Sequence, residues 1–248
     1  MPSVFTEQSE TTSQLMAATG VAKWAYNKLF KLNCRPEKAI AKWECELHIP
    51  RNLSWENVFA GIYATSDDTS LRWLQLRIIH RIIPTSKRLK LFGILQSDRC
   101  QHCPLVEEDI THLFWSCPEV QKLWDTLGRV CNIRSQFNPT QVLLNISEDT
   151  ATFPAQSINL LILITKQYIW QCHRRSMKPE IQGLASNIFA KFKAEHYISK
   201  LADNDSASQS FKPILDALKR YSEGSREGAR PRGGGRALSE TGREVRSR

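Results

Sequence analysis

The chain has 248 residues, with 34 Lys and Arg against 25 Asp and Glu, for a formal net charge of +9 and a sequence pI near 9.3. Its 41% hydrophobic content suffices for a buried core, which excludes a wholly disordered chain, and the basic balance favours polyanionic partners. The longest apolar run, Leu160-Leu161-Ile162-Leu163-Ile164, is broken by Lys166 and falls far short of a bilayer span, so no membrane partner is expected. With no signal peptide at Met1-Pro2-Ser3-Val4, an intracellular protein is expected, nucleus and cytoplasm standing equal.

Residues 1–20 are rich in Ser, Thr and Gln and are predicted to be loose. Accessory helices follow over 21–65. Val21, Trp24, Ala25 and Leu29 recur at helical spacing, Pro36 opens a second helix presenting Ile40, Trp43 and Leu47, and Ser54 caps a third bearing Trp55, Val58, Phe59 and Ile62. Such stripes are assigned to packing. Asp67-Asp68 lie in a polar loop with no flanking strand pattern. They read as the approach to a helix capped by Thr69 or Ser70, not as a metal-holding catalytic pair.

The next helix carries one stripe of Leu71, Leu74, Ile78 and Ile82 and a second of Leu76, Ile79 and Ile83, which predicts burial on two sides and an end at Pro84. Trp73, Arg77, His80 and Arg81 share its remaining face. Thr85 or Ser86 caps a short helix bearing Lys87, Arg88 and Lys90 before Gly93. No Asp or Glu occurs between residues 69 and 97, so Arg72, Arg77, Arg81, Lys87, Arg88 and Lys90 form the densest one-sign segment. Such a face contacts phosphates, with Trp73 stacking on an unpaired base. The competing reading is an ordinary solvated face, with Trp73 in the core and Arg77 and Arg81 paired to Glu107, Glu108 or Asp109.

Cys100, Cys103, His112 and Cys117 follow, as Cys-x-x-Cys, eight residues, His, four residues, Cys. Three thiolates and one imidazole suit tetrahedral zinc and close its shell, leaving no position for water. A redox dithiol would require a strand before the pair and a helix starting at it, whereas Asp98-Arg99 precede and Pro104 follows. Seven cysteines, an odd number, argue against a disulfide framework. Structural zinc is the first reading and free thiols the competing one. His102, flanked by ligands, is a poor fourth donor, and Cys131 is the more serious substitute.

Asp109 or Glu108 can cap a short helix carrying Ile110, His112, Leu113 and Trp115. On one continuous α-helix, positions 112 and 117 would lie about 140° out of phase, so the chain is expected to bend at Cys117, ahead of Pro118. A further helix then presents Val120, Leu123, Trp124, Leu127 and Val130, with Gly128 as a candidate cap.

These motifs, Leu91-Phe92-Gly93-Ile94, Ser97-Asp98-Arg99-Cys100-Gln101-His102-Cys103 and His112-Leu113-Phe114-Trp115-Ser116-Cys117-Pro118 with Trp124, resemble the zinc-binding domain that follows the reverse transcriptase of LINE-type non-LTR retrotransposons. The run from Trp55 through Leu76, His80-Arg81 and Thr85 to Leu127 fits the same pattern, and Lys178-Pro179 is similar to the family's distal end. The resemblance spans roughly residues 40 to 200 and is most specific between Leu71 and Leu127. It implies that Cys100, Cys103, His112 and Cys117 ligate zinc and that the region helps bind the element's own RNA. The family's upstream polymerase needs an aromatic-x-Asp-Asp hairpin, which this chain lacks, as it does a Gly-rich phosphate loop, a Gly-x-Ser-x-Gly elbow and a His-Glu-x-x-His pair.

Beyond the motif, a short helix is expected between Asn138-Pro139 and Phe153-Pro154. A long one, capped by Ser157 or Asn159, runs through Ile164, Ile169 and Trp170 to Arg175 and ends at Lys178-Pro179. Another buries Ile181, Leu184, Ile188, Phe189 and Phe192. Lys166, Arg174, Arg175, Lys191 and Lys193 are candidates to extend the basic surface, and Cys172 and His173 read as a core thiol and a surface imidazole. Residues 203–210 read as a polar linker and Lys212 to Tyr221 as a short helix. From Ser222 the chain is predicted to be disordered. Arg230-Pro231-Arg232-Gly233-Gly234-Gly235-Arg236 resembles an RNA-binding Arg-Gly tail, but it does not repeat, which favours sequence read past an element's original end.

The expected fold is therefore all-α, a small helical domain organised around a structural zinc knuckle. Its parts are a loose N-terminus (1–20), accessory helices (21–65), the zinc-binding domain (66–131), C-terminal helices (132–202), and a linker, short helix and disordered basic tail (203–248). The expected function is a non-catalytic module that binds RNA or single-stranded nucleic acid. The alternative is a zinc-stapled scaffold for protein contacts.

Overall fold

The computed structural model describes residues 36–49, 53–104, 106–133, 137–150, 152–201 and 206–227. Every regular element among the described residues is helical, and the pairing of Arg99 with Glu107 is an isolated antiparallel bridge. The predicted helix over 21–30, the loose N-terminus and the tail beyond residue 227 lie outside the described residues.

Helix α1 (Pro36–Leu47) opens on its proline. It buries Trp43 completely, and the indole N–H donates to the carbonyl of Ile79 at 2.8 Å. In α2 (Trp55–Thr65) Ser54 caps as expected, accepting the Asn57 N–H, and Val58 and Ile62 are buried. Helix α3 (Thr69–Ile79) is capped one residue earlier than expected, by Asp68, whose carboxylate accepts the N–H groups of Ser70 and Leu71. A charged acceptor serves two free amides at the positive end of the helix dipole, where a hydroxyl serves one.

The same helix stops well before Pro84. His80 closes it and Arg81 takes a left-handed φ of 57°. Ile82, which helical spacing put in the buried stripe, is consequently 45% exposed, while Ile83 is fully buried. Tertiary contacts hold Arg81 there: its guanidinium lies 4.0 Å from the centre of the Trp43 ring and pairs with Glu46 at 2.8 Å. A cation held both by an aromatic face and by a carboxylate outweighs the modest strain of the backbone.

Helix α4 (Ser86–Leu91) is capped by Thr85 and ends at Phe92, after which Gly93 adopts φ 71°. Helix α5 (Pro118–Val130) buries Val120, Leu123, Trp124 and Leu127. Gly128 lies inside it rather than capping it. The left-handed residue that turns the chain is Asn132, at φ 52°. Helix α6 (Pro139–Leu144) begins with a reciprocal capping box between Asn138 and Gln141.

Helix α7 (Ala155–Arg174) starts ahead of both predicted caps, because Asp149 reaches across to accept the Ala155 N–H at 2.7 Å. Ser157 is buried inside the helix. Helices α8 (Ile181–Leu201) and α9 (Ser206–Glu227) complete the chain. Helix α9 is longer than the predicted short helix, absorbing part of the expected linker and the first residues of the expected tail. Its reason is tertiary: Phe211, Ile214 and Leu218 are buried, and Phe211 stacks on Phe192 at 5.6 Å.

Helix α7 is the centre of the assembly, packing against α2, α3, α8 and the turn that carries His112, while α9 packs on α8 and α5. At Gly183 an added Cβ would meet the Tyr168 hydroxyl, so α8 approaches α7 closely there and a larger residue would displace the Tyr168 ring. Among the described residues no helix is long and apolar enough to cross a membrane.

Candidate metal centre

Two short pieces of backbone build the centre. The Cys-x-x-Cys loop is a tight reversal in which the Cys100 N–H donates to the Val106 carbonyl at 3.0 Å and the Val106 N–H to Cys103 at 3.4 Å. The other half is a π-helical turn, His112–Ser116, closed by a bond from the Cys117 N–H to the His112 carbonyl at 3.0 Å. An i→i+5 bond brings position 117 back over position 112, which a regular α-turn would not do. Cys117 is then extended, at φ −63° and ψ 129°, and Pro118 starts α5. The bend expected at Cys117 is present, and the widened turn ahead of it resolves the phase mismatch. Of the two predicted caps, Asp109 serves, accepting the His112 N–H at 2.7 Å.

Cys100, Cys103, His112 and Cys117 offer four donor atoms, all within 4.8 Å of one another. Cys100 Sγ lies 4.0 Å and Cys103 Sγ 3.8 Å from Cys117 Sγ. Two thiolates on a tetrahedral zinc, each about 2.3 Å from the metal, sit about 3.8 Å apart, so the sulfur spacing fits. His112 presents Nε2, 3.0 Å from Cys103 Sγ, while its Nδ1 faces the Ser116 hydroxyl at 3.5 Å. The backbone N–H of His102 points at Cys100 Sγ at 3.4 Å. Cys100, His112 and Cys117 are buried and Cys103 partly so.

The thiols alter one another's proton affinities. The hydrogen bond to Cys117, with burial, pushes the Cys100 thiol up to about 12, whereas the same bond pulls Cys117 down. Burial raises Cys103. A bound cation would take these groups as thiolates, since thiolate ligation releases protons. Four protein donors leave no open position, the arrangement of a structural rather than a catalytic zinc site.

Neither alternative ligand joins the cluster. His102 is half-buried outside it, and Cys131 is buried elsewhere, its thiol pushed up to about 12 by burial. Asp67 is exposed and pairs with Arg72 at 2.6 Å, and Asp68 is a helix cap that binds Lys191.

Residues 22–124 match the family model described as zinc-binding in reverse transcriptase. The match contains all four donors and supports a reverse-transcriptase-associated zinc domain over that stretch. It ends inside α5, so α6 to α9 lie beyond it. No curated protein matches the chain.

The cationic residues ahead of the four donors are not one free surface. Arg72 is held by Asp67 and by the carbonyls of Ser66 and Tyr63. Arg77 lies over the Trp170 ring at 5.7 Å, and Arg81 is engaged by Trp43 and Glu46 rather than by Glu107, Glu108 or Asp109. Arg88 donates to the Arg81 carbonyl and lies over Phe92. Lys87 and Lys90 are exposed and pair with Glu107 at 2.7 Å and Asp98 at 2.8 Å. Trp73 stands out in solvent, 59% exposed. Farther on, Lys166 is completely buried and so contributes nothing to a basic surface.

Sequence spacing does not reveal the residues behind the knuckle. Glu108 is fully buried, and its Oε1 accepts from the Ser86 N–H at 2.9 Å, the Ser86 hydroxyl at 2.8 Å and His173 Nε2 at 2.9 Å. Burial alone would raise the Glu108 carboxyl, but the hydrogen bonds from His173 and Ser86 hold it below its usual range. His173 is therefore not a surface imidazole. Glu108 and His173 lie 65 positions apart, and only the docking of α7 unites them.

Proposed function

We propose that the chain is a non-catalytic, zinc-stabilised helical module, descended from the reverse-transcriptase region of a LINE-type element, that binds single-stranded RNA. The observation that carries the module is the convergence of four zinc-type donors inside a stretch that matches a reverse-transcriptase zinc family. For RNA, support comes from the net charge and from the exposed Trp73, whose ring offers a stacking platform for an unpaired base. Lys87 and Lys90 are the best phosphate contacts, because exposed ion pairs contribute only about 0–1 kcal/mol and exchange readily for another anion. Arg72 and Arg81 are held too firmly to serve. A second reading, a scaffold for protein contacts, draws on the exposed apolar run of Leu91, Phe92 and Ile94, at 79%, 64% and 65% exposure.

Salt separates the two. The zinc-loaded chain should bind a fluorescent single-stranded RNA at low salt, weakening steeply as salt rises. Trp73→Ala should cost about 1–3 kcal/mol of affinity, and Lys87→Ala with Lys90→Ala should flatten the salt dependence, all three leaving the thermal midpoint unchanged. Absent binding at low salt, or affinity indifferent to salt, would leave the scaffold reading.

A further inference from the structure

The Cys-x-x-Cys loop has little of its own to hold it. Two short-range backbone bonds close it, and loops of this size have no core. Its placement against His112 and Cys117 therefore depends on what lies behind it. That support comes from α4 on one side and from α7, beyond the stretch that matches the zinc family, on the other.

We infer that Glu108 and His173 are positioning residues for the zinc centre, which makes the end of α7 a working part of the metal-binding unit. This goes beyond the proposed function and does not depend on RNA binding. Glu108 is the hub. Its backbone N–H donates to Asp98 at 2.8 Å and its carbonyl accepts the Lys87 N–H at 3.1 Å, while its carboxylate gathers Ser86 and His173. The start of α4, the base of the knuckle and the end of α7 thus meet on one residue.

His173 is itself fixed in place. Its ring stacks on Trp170 at 5.4 Å with the planes 13° apart, and Arg77 covers Trp170 from the other element. Gln101, lying between the two cysteines of the loop, donates its side-chain N–H to the His173 carbonyl at 2.8 Å. Cys100, His102, Cys117 and His173 line a common space with Ile169 and Pro179, too narrow for a water. Glu108 Oε2 is buried with no partner, so without His173 the carboxylate keeps only the two donors of Ser86, both on Oε1. A buried carboxylate stripped of a donor must shift toward water, and the knuckle shifts with it. Ligands that are less well placed bind metal less tightly, and loss of such outer contacts typically weakens a site about 10–100-fold.

The test uses the full chain and reads zinc affinity by competition with a chromophoric chelator, beside the absorption spectrum of the cobalt(II)-substituted protein. His173→Ala should weaken zinc about 10–100-fold and alter the cobalt spectrum. His173→Gln, whose amide N–H can reach the same oxygen, should restore most of the affinity. Removing zinc from the unaltered chain should speed amide exchange in the last turns of α7. Should His173→Ala fail to fold, Gln101→Ala, which removes one exposed contact to the same residue, should still weaken zinc about two- to tenfold. Unchanged affinity in His173→Ala, equal loss in Ala and Gln variants, unchanged affinity in Gln101→Ala where that variant is needed, or α7 exchange indifferent to zinc would each overturn the inference.

Discussion

Lys166 is surrounded by protein on every side, and among the described residues no carboxylate pairs with it. Its amine donates to Gln75 Oε1 and to the Val142 carbonyl at 2.7 Å, two acceptors for the two N–H bonds of an uncharged amine. Burial drives its proton affinity well below that of an exposed lysine. Gln75 in turn donates to the Leu143 carbonyl at 2.9 Å, so one polar pair ties α3, α6 and α7 together. Lys166→Met should destabilise the fold by about 1–3 kcal/mol, because Gln75 Oε1 loses its donor. Adding Gln75→Leu removes the stranded side-chain acceptor but also takes the donor from the Leu143 carbonyl, with the Val142 carbonyl already without Lys166, so the double variant should recover little of that loss. Urea unfolding of the single and double variants measures the coupling. Nothing in the sequence distinguished Lys166 from Lys191, because periodicity places a position on a face without saying how many neighbours cover that face.

Among the helices, α3 shows what local chemistry predicts and where tertiary contacts take over. Its apolar stripes were legible in Leu71, Leu74 and Ile78, as were the caps at Ser54 and Thr85 and the proline starts of α1 and α5. Its ends were not: Asp68 outcompeted the neighbouring hydroxyls, and the Trp43–Arg81–Glu46 contact, in which Trp43 and Arg81 lie 38 positions apart, stopped the helix ahead of Pro84. Asp68 carries a consequence in acid. Burial would raise its pKa, but hydrogen bonds from Lys191 and Ser70 bring it down from 3.8 to about 2. A carboxylate depressed in the folded state contributes stability that is complete above its unfolded pKa and is lost as pH falls from about 4 toward 2. The contribution is at most about 2 kcal/mol after allowance for its partial exposure. Asp68→Asn keeps the cap and removes the charge. The stability gap between that variant and the parent should be plain at pH 5 and close near pH 2, with zinc loss at low pH affecting both alike.

For the whole molecule, the donor cluster and the helices beyond the family match share side-chain contacts. The four donors were readable from spacing, because ligand types and intervals are written in the chain. Glu108, His173 and the docking of α9 were not, since they depend on contacts between distant segments. The family match ends at Trp124, yet Gln75 finds its partners on α6 and α7, and Glu108 finds His173 on α7. A chain ended after Val130 would leave those groups, and the apolar faces of α2 and α3 that pack on α7, open to water. Such a fragment should show helical far-ultraviolet dichroism but poor amide dispersion and dye binding, even with zinc present, whereas in a chain ended after Glu227 the amides of α2, α3 and α5 should be well dispersed. A well-dispersed short fragment would show that the zinc domain folds alone.

The π-helical turn at His112–Ser116 makes the interval between the last two ligands a gauge of backbone width. Four intervening residues can bring both donors to one point when the turn between them is one residue wider than an α-turn. The interval therefore encodes a shape as well as a ligand count, and related chains that keep His-x-x-x-x-Cys should keep the widened turn even where every side chain between the ligands has changed.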